Sequence, residues 1–575
     1  MARKKQRVKS LSKLKRMKSK SSAALRLRDE DSSCSWKWEK YFPAAILLWT
    51  FLLGCTPMSN FDIWWHLRTG RWIVENGWVP VADLFTYKDP NQPWTDLHWG
   101  FQLLVFGMFS LGGVNLLVLN KATCLTMTIA IGWRASGNGL PHWAKTLCWI
   151  LPVICISGRS LVRPEMLSLI FLAIWLWIAE NASRRPRLIW WLPVLQILWV
   201  NCHGLFVLGL VVGAAYAVDR IARGFWGGRF GLEPVPESPE FIYLFRAGVL
   251  AVFACLLNPY FEEGALFPLE LYRKFSVDQV VYSGTGEFQT LLTFAKTEGS
   301  FTHLSFVAEL GLWLVTAISF LLLLRKRRIN VMRLLLFAAF SHLAWKATRN
   351  TSIFSLVSGV VLCGNLSDYL NLRQSQQKKE VRDVASNQSP FSKRMAILTG
   401  VIVTGLIASL ISGYWAVLGK ENKTFGLGER EAWYPHDAVK FAGQPDFPQR
   451  ALIAHNGLAA VYEYHLGPHH RVFVDGRLEV VSRETYELHQ KIIQLMSNRN
   501  PNWQSLLNRD GEGRFPVLIL DSRQSRDSIN GVYSTPGWRL VFADSSAAVF
   551  IEESLAETLN LPQADPTPLR YPDGQ

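Results

Sequence analysis

The densest concentration of reactive side chains lies between residues 61 and 99. It opens with Phe61-Asp62-Ile63-Trp64-Trp65-His66-Leu67 and continues through Asp83, Asp96 and His98. Asp62 and His66 are four residues apart, so on a helix they share a face. A carboxylate and an imidazole so placed have the chemistry of a general base that takes a proton from a hydroxyl. Asp62 with Asp83 or Asp96 has equally the chemistry of a divalent-cation site. A third reading is an interface helix whose carboxylate caps or pairs locally. Residue types and spacing leave all three open. The segment is too polar to cross a membrane and too aromatic for an unstructured loop. Its Trp and Tyr suit a membrane–water interface, and would also stack on sugars.

Further reactive residues are scattered. Arg163 lies in a short turn between two apolar runs, and Lys346 precedes Arg349 by about one helical turn. These cations could hold a lipid phosphate by charge-assisted hydrogen bonds, or snorkel to headgroups. Asn201 and His203 stand where two apolar runs meet. His203 reads either as a proton-transfer partner that orients Asp62 or, with Asn201, as a tie for a tight turn of backbone. Asn258-Pro259-Tyr260 reads first as a helix stop. Glu287 sits in the long 259–303 loop among Gly284, Gly286 and Gly299, where a mobile acceptor-binding loop is expected. Asp475-Gly476-Arg477 ends an expected strand, a common place for sites; it reads as an acceptor-docking element or as a tight turn with a local Asp–Arg contact. His455, His465, His469 and His470 match no zinc spacing, so no metal is assigned to them.

The elements that must position these residues follow from composition. The chain has 575 residues, a net charge of +16, 49% hydrophobic residues and 24 Trp. The averages hide three regions: a basic, polar stretch over 1–40, long apolar runs over 41–417, and a region of soluble character over 418–575. This excludes a single soluble globule, a coiled coil and a disulfide-stapled secreted domain. Twelve Lys or Arg and no acid fall in the first 28 residues. Nucleic-acid binding is one reading of that run. A disordered cytoplasmic tail that orients the next apolar segment is the reading adopted here, because an apolar run follows at 42–58. The eight Cys show no CxxC or metal spacing, and none lies beyond residue 363. The absence of Cys from an outer domain fits a bacterium better than a eukaryotic secretory compartment.

Apolar stretches suited to spans occur at 42–58, 114–133, 143–158, 164–181, 188–202, 204–222, 246–258, 304–324, 330–347, 351–369 and 395–416. Residues 98–112 are apolar too, but Gly112-Gly113 ends them. If 98–112 lies flat, Arg184, Arg185 and Arg187, the Arg325–Arg328 run and the 371–394 loop all fall on the cytoplasmic side with the N-terminus. The expectation is therefore about 11 spans, N-terminus in and C-terminus out. Asp62, His66, Asp83, Asp96, His98, Arg163, Glu165, Asn201, His203, Asn258, Glu287, Lys346 and Arg349 then gather at the outer end. Ionisable groups near a membrane are costly and usually functional, so one outward-facing site is expected. Beyond it, strands at 451–455, 471–474, 517–520, 538–543 and 546–551, with helices near 457–465, 484–508 and 523–530, predict an α/β domain. Its sheet is expected to be partly parallel and to end in an antiparallel edge hairpin.

The run from Asp62 to Trp99 reads D-x-W-W-H-L-x-x-G and then G-x-x-P-x-x-D-x-F-T-Y. With Arg163-Pro164-Glu165, Trp199-Val200-Asn201-Cys202-His203-Gly204, Asn258-Pro259-Tyr260 and Val472-Phe473-Val474-Asp475-Gly476-Arg477, it resembles bacterial GT-C superfamily membrane glycosyltransferases, nearest the RgtA/B/C/D-like group. The resemblance covers most of residues 42–480. It implies a polytopic α-helical GT-C-like membrane protein with a C-terminal extracytoplasmic α/β domain. It also implies a sugar donor carried on polyprenyl phosphate or diphosphate, and inverting transfer on the outer face of the cell (inner) membrane. The family's base maps onto Asp62; His66 and His203, from their own positions, are the expected catalytic partners. Arg163 and Arg349 match its donor-phosphate residues by position, and Lys346, beside Arg349, is expected to join them. Asp83, Asp96, Glu287, Asp475 and Arg477 are the acceptor or loop candidates. Expected partners are the lipid-linked donor, the bilayer and a glycan, lipid or protein acceptor, with no nucleic acid. No cofactor is implied beyond a possible divalent cation. An O-antigen polymerase or ligase, and a lipid or sugar transporter, are the alternatives.

Overall fold

The computed structural model describes residues 38–229, 231–232, 240–277, 286–297, 299–380, 390–420 and 424–569. The basic tail falls outside them, except for its last three residues.

Helices dominate the first three quarters of the chain. They are α1 Phe42–Gly54, α2 Ile63–Asn76, α3 Trp99–Ala135, α4 His142–Gly158, α5 Glu165–Asn181, α6 Leu192–Val200, α7 Val207–Trp226 and α8 Glu240–Ala254. After these come α9 Phe261–Val277, α10 Leu291–Thr297, α11 Leu304–Arg325, α12 Val331–Lys346, α13 Thr351–Glu380, α14 Pro390–Ile411 and α15 Tyr414–Gly419. Each apolar stretch read from the sequence is at least partly helical. Among the described residues, five helical segments are long and apolar enough to cross a membrane: Trp99–Ala135, Gly204–Trp226, Leu304–Arg325, Thr348–Arg373 and Phe391–Ile411. The protein is thus mostly helical with a C-terminal α/β region.

Two glycines divide α3 into two helices. Gly112 leaves helical geometry, and Gly113 adopts φ 60°, ψ −155°, a conformation open essentially to glycine. The break falls where the sequence placed it. The first part, from Trp99, packs against α2; Gly70 lies so close that a Cβ would stand 2.4 Å from the Gln102 carbonyl oxygen. The second part packs on α1 through Gly54, where a Cβ would come within 2.6 Å of the Ala122 Cα.

The expected loop over 259–303 is largely helical, with α9, a 3-10 turn at Gly286–Phe288 and α10. Asn258 produces the stop before it. Its side-chain amide donates to the Cys255 and Phe261 carbonyls, and its oxygen accepts from the Tyr260 N–H.

The C-terminal region holds α16 His436–Ala442, β1 Arg450–Ile453, α17 Asn456–Leu466, β2 Arg471–Val472, α18 Arg483–Ser497, β3 Val517–Asp521, α19 Arg526–Tyr533, β4 Trp538–Ala543, β5 Ala547–Glu552 and α20 Glu553–Thr558. The sheet order is β2-β1-β3-β5-β4. Strand β1 pairs in parallel with β2 and β3, whereas β5 runs antiparallel to β3 and β4. This is the partly parallel sheet with an antiparallel edge hairpin that the strand pattern predicts. The expected helix over 484–508 is shorter: it ends at Ser497 and a 3-10 turn follows at Pro501–Leu506, because Pro501 cannot continue the ladder.

One apolar core joins the first loop to this sheet. Trp64, Trp65, Phe85 and Trp94 are buried with Tyr434, Val461, Val472 and Ile519. These tryptophans are therefore not a headgroup layer, as their density had indicated; their faces are spent on tertiary packing. Backbone pairing seals the same junction. Tyr87 N–H donates to the Val472 carbonyl and Val472 N–H to the Phe85 carbonyl, so the first loop covers the open edge of β2.

The helix contact at Gly54 is testable. Gly54→Val should lower stability by about 1–3 kcal/mol by forcing α1 away from α3. Thermal unfolding in nanodiscs, followed by tryptophan fluorescence, would read this.

Candidate active site

The candidate site forms where five separate segments meet. Asp62 stands at the start of α2, and its Oδ2 lies 2.7 Å from Arg163 Nη2. Arg163 comes from the turn between α4 and α5. Its Nε donates to Asn60 Oδ1 at 3.1 Å, and its Nη1 donates to Glu287 Oε1. Arg159, at the start of the same turn, approaches Glu287 at 3.4 Å. Arg349, whose guanidinium lies 5.2 Å from the centre of the Phe288 ring, adds a third positive field around Glu287. Gly476 closes the group from the α/β side: a Cβ there would meet only Asp62 Oδ1, at 3.5 Å.

Charges set the protonation states. The Asp62 carboxylate is 27% exposed, in a crevice walled by protein. Loss of water raises its pKa above the ordinary carboxylate value; Arg163 opposes that rise, and Glu287 and Asp475 add to it. Glu287 goes the other way. Burial alone would raise it, but Arg163, Arg159 and Arg349 bring it down to about 2. Two carboxylates on one guanidinium therefore differ: Glu287 is held firmly ionised and Asp62 is the more basic.

Three imidazoles run beside this group. The ring centres of His66 and His98 are 5.6 Å apart, and those of His98 and His203 are 5.5 Å apart. Burial, then the neighbouring His98, pulls His66 and His203 well below the usual histidine range, so both are neutral at pH 7. His203 Nδ1 is paired with Ser168 Oγ at 2.8 Å, and Asp96 Oδ1 is 3.3 Å from His98 Nδ1. Asn201 ties the turn before His203, donating to the Ile197 and Leu257 carbonyls and accepting from Trp99 Nε1.

The structure thus brings Asp62, Arg163 and Glu287 together, with Arg349 alongside, and gathers His66, Asp96 and His203 into the adjoining imidazole row. Lys346 is exposed, with its ammonium 5.7 Å from the Tyr272 ring centre. Asp83, Asp475 and Arg477 form a separate, fully buried cluster. Arg477 Nη2 is 2.6 Å from Asp83 Oδ1, and Arg477 Nε donates to Asp475 Oδ2 at 2.9 Å. Asp83 also accepts from the Thr86 N–H and hydroxyl. Side chains with no exposed surface cannot meet an acceptor, so these three are corrected to a clamp between the first loop and the sheet. The local Asp–Arg contact is real, but it is only half of that clamp. Glu463 completes the cluster; burial, and then the Asp475 carboxylate, raise it well above the carboxylate range, so it carries a proton at neutral pH.

A divalent cation does not fit these residues. The Asp62 carboxylate has a guanidinium as its partner. Among the described residues, no group of three or more His, Cys, Asp or Glu could hold a metal ion. Sequence reasoning missed Arg159 and Asn60. The signal for Arg159 was its four-residue offset from Arg163.

No family model matches the sequence, and no curated protein matches it significantly. Solved structures do. The oligosaccharyltransferase of Archaeoglobus fulgidus in its apo form aligns with a TM-score of 0.50 and 13% identity, over 85% of this chain and 70% of that one. The same archaeal enzyme, AglB, in complex with an inhibitory peptide and a dolichol-phosphate aligns with a TM-score of 0.49 and 15% identity, over 85% and 70%. ArnT from Cupriavidus metallidurans bound to undecaprenyl phosphate aligns with a TM-score of 0.43 and 14% identity, over 90% and 98%. The fold is similar to that of the archaeal oligosaccharyltransferase. At such identities the likeness concerns the fold alone. The mostly helical chain with a C-terminal α/β region agrees with the coarse architecture that the sequence resemblance implies.

The clamp carries a prediction. Arg477→Met would leave Asp83 and Asp475 buried without their cation, which costs about 3–5 kcal/mol. Limited proteolysis of the folded protein should then cut the junction between the first loop and the sheet sooner than in the wild type.

Proposed function

We propose that this protein is a membrane glycosyltransferase that moves a sugar from a polyprenyl-phosphate-linked donor to an acceptor hydroxyl on the outer face of the membrane. One observation carries the reading: Asp62, the more basic carboxylate and partly exposed, shares the Arg163 guanidinium with a firmly ionised Glu287, beside two further arginines.

The chemistry follows from that arrangement. The acceptor oxygen attacks the anomeric carbon as the bond from that carbon to the phosphate oxygen breaks. The hydroxyl proton passes to Asp62, and the lipid phosphate leaves with the bonding pair. Arg163, Arg159 and Arg349 are the fixed positive charges nearest the leaving oxygens. Cations already in place and short of water stabilise developing charge with little reorganisation. Arg163 has three jobs at once, bonding Asn60, Glu287 and Asp62. A donor phosphate competes for its N–H groups and so loosens its hold on Asp62, which favours proton transfer once the donor is bound. Neutral His203 offers a hydrogen bond to a sugar hydroxyl without adding charge. The apolar helices and the polar residues gathered at one end of the bundle support a multi-pass protein of the cell membrane, with residues 418–575 outside.

The direct test uses the purified chain in nanodiscs with radiolabelled polyprenyl-phosphate sugars. Asp62→Asn should lower kcat by about 10²–10⁴-fold, the usual contribution of a general base. Equal turnover by wild type and variant would remove Asp62 from the chemistry.

The pH profile gives an independent check. Asp62 acts ionised, so kcat/KM should rise with pH through an apparent pKa raised from the ordinary aspartate value. Glu287 raises Asp62, so Glu287→Gln should move that acid limb to lower pH. Arg163 lowers Asp62, so Arg163→Gln should move it to higher pH. Shifts in the same direction for both would refute the assignment.

A further inference from the structure

Parallel strands tend to carry ligands at their carboxyl ends, at the point where the chain departs to opposite sides. Here that point is β1. The chain leaves β1 through α17 to reach β2 on one side, and β3 lies on the other. The residues just past β1 are His455 and Asn456, and those just past β3 are Ser522 and Arg523.

These carboxyl ends lie over Asp62. The His455 ring packs 5.4 Å from Phe61, the residue before Asp62, and His455 and Asp62 are within electrostatic reach of each other. Arg523 is rigidly set: Nη2 donates to Asp521 Oδ2 at 2.9 Å and to the Trp433 carbonyl at 3.0 Å, and its guanidinium lies 4.2 Å from the Trp433 ring centre. Three polar atoms along this wall have no hydrogen-bond partner: His455 Nδ1, Asn456 Oδ1 and Arg523 Nη1. Unmatched groups of this kind are costly unless a ligand or water satisfies them. The Asp475 and Arg477 side chains, committed to their clamp, leave only Gly476 on the opposite wall, and Gly476 leaves space beside Asp62.

We infer that the carboxyl ends of β1 and β3 form the acceptor subsite, where His455, Asn456 and Arg523 hydrogen-bond the hydroxyls of a saccharide whose reacting hydroxyl lies at Asp62. The inference rests on the glycosyl-transfer reading and adds the acceptor class to it. A set of neutral and cationic hydrogen-bonding atoms beside a base matches a ring bearing several hydroxyls. A peptide binding by strand addition has no place on the nearer edge of the sheet, because Phe85–Tyr87 already pair with β2.

The test measures transfer in nanodiscs, with octyl glycosides of several sugars as acceptors and the labelled lipid donor. His455→Gln and the near-isosteric Asn456→Leu, which removes the Oδ1 acceptor, are compared with wild type. Each should raise KM for the glycoside about tenfold, the effect of one lost hydrogen bond, with KM for the donor changing less than about twofold. Unchanged glycoside KM in both variants, or an equal rise in donor KM, would overturn the subsite. Transfer to an N-acetylserine amide as efficient as to any glycoside would overturn the saccharide assignment. If wild type releases no label from any lipid donor, the glycosyl-transfer reading falls and the subsite falls with it.

Discussion

A guanidinium sealed from water between two carboxylates holds this molecule in its working shape. Arg477 belongs to the α/β region, Asp475 lies two residues before it, and Asp83 comes from the first loop. A buried ion pair of this sort adds little net stability, because desolvation consumes most of its attraction. What it supplies is register. Only one placement of the loop against the sheet satisfies all three charges, and that placement sets the Gly476 backbone over Asp62. The surrounding tryptophans supply the apolar burial that the ion cluster lacks.

The second arginine, Arg163, works in the opposite way. It is partly exposed, and its carboxylate partners come from segments that are otherwise separate. Its bonds can be exchanged for those of an incoming anion at modest cost, whereas those of Arg477 cannot. The same residue type thus serves as a fixed joint in one place and as a replaceable contact about one loop away. Burial decides which.

Much of the fold was legible because it rests on local periodicity. Long apolar runs became helices, Gly112-Gly113 became a break, and the short apolar runs expected at 451–455, 517–520 and 546–551 became strands. Asp62, Arg163 and Glu287 each drew notice through polarity beside apolar sequence. Their mutual bonding was not legible, since Glu287 lies 124 residues from Arg163 and no spacing rule reaches so far. The Trp64, Trp65 and Trp94 side chains were misread because composition cannot separate an interfacial aromatic from one packed on a distant sheet. The helix α9 was hidden for a different reason: Glu262, Glu263, Glu270, Arg273 and Lys274 make it charged, so it reads as loop when apolar runs are the signal. Arg523 was passed over because its role depends on a strand end reaching over the first loop.

The clamp also bears on biogenesis. Asp83 and Arg477 are 394 residues apart. At ~5–20 residues per second, the ribosome needs roughly 20–80 s to make the stretch between them. Throughout that interval the first loop has already been made, yet neither its carboxylate nor its tryptophans have a sheet to meet. The nascent chain therefore carries an unfinished, sticky surface through most of its synthesis. A holding factor, or a temporary seat on the bilayer, has to shelter that surface until the last quarter of the protein arrives.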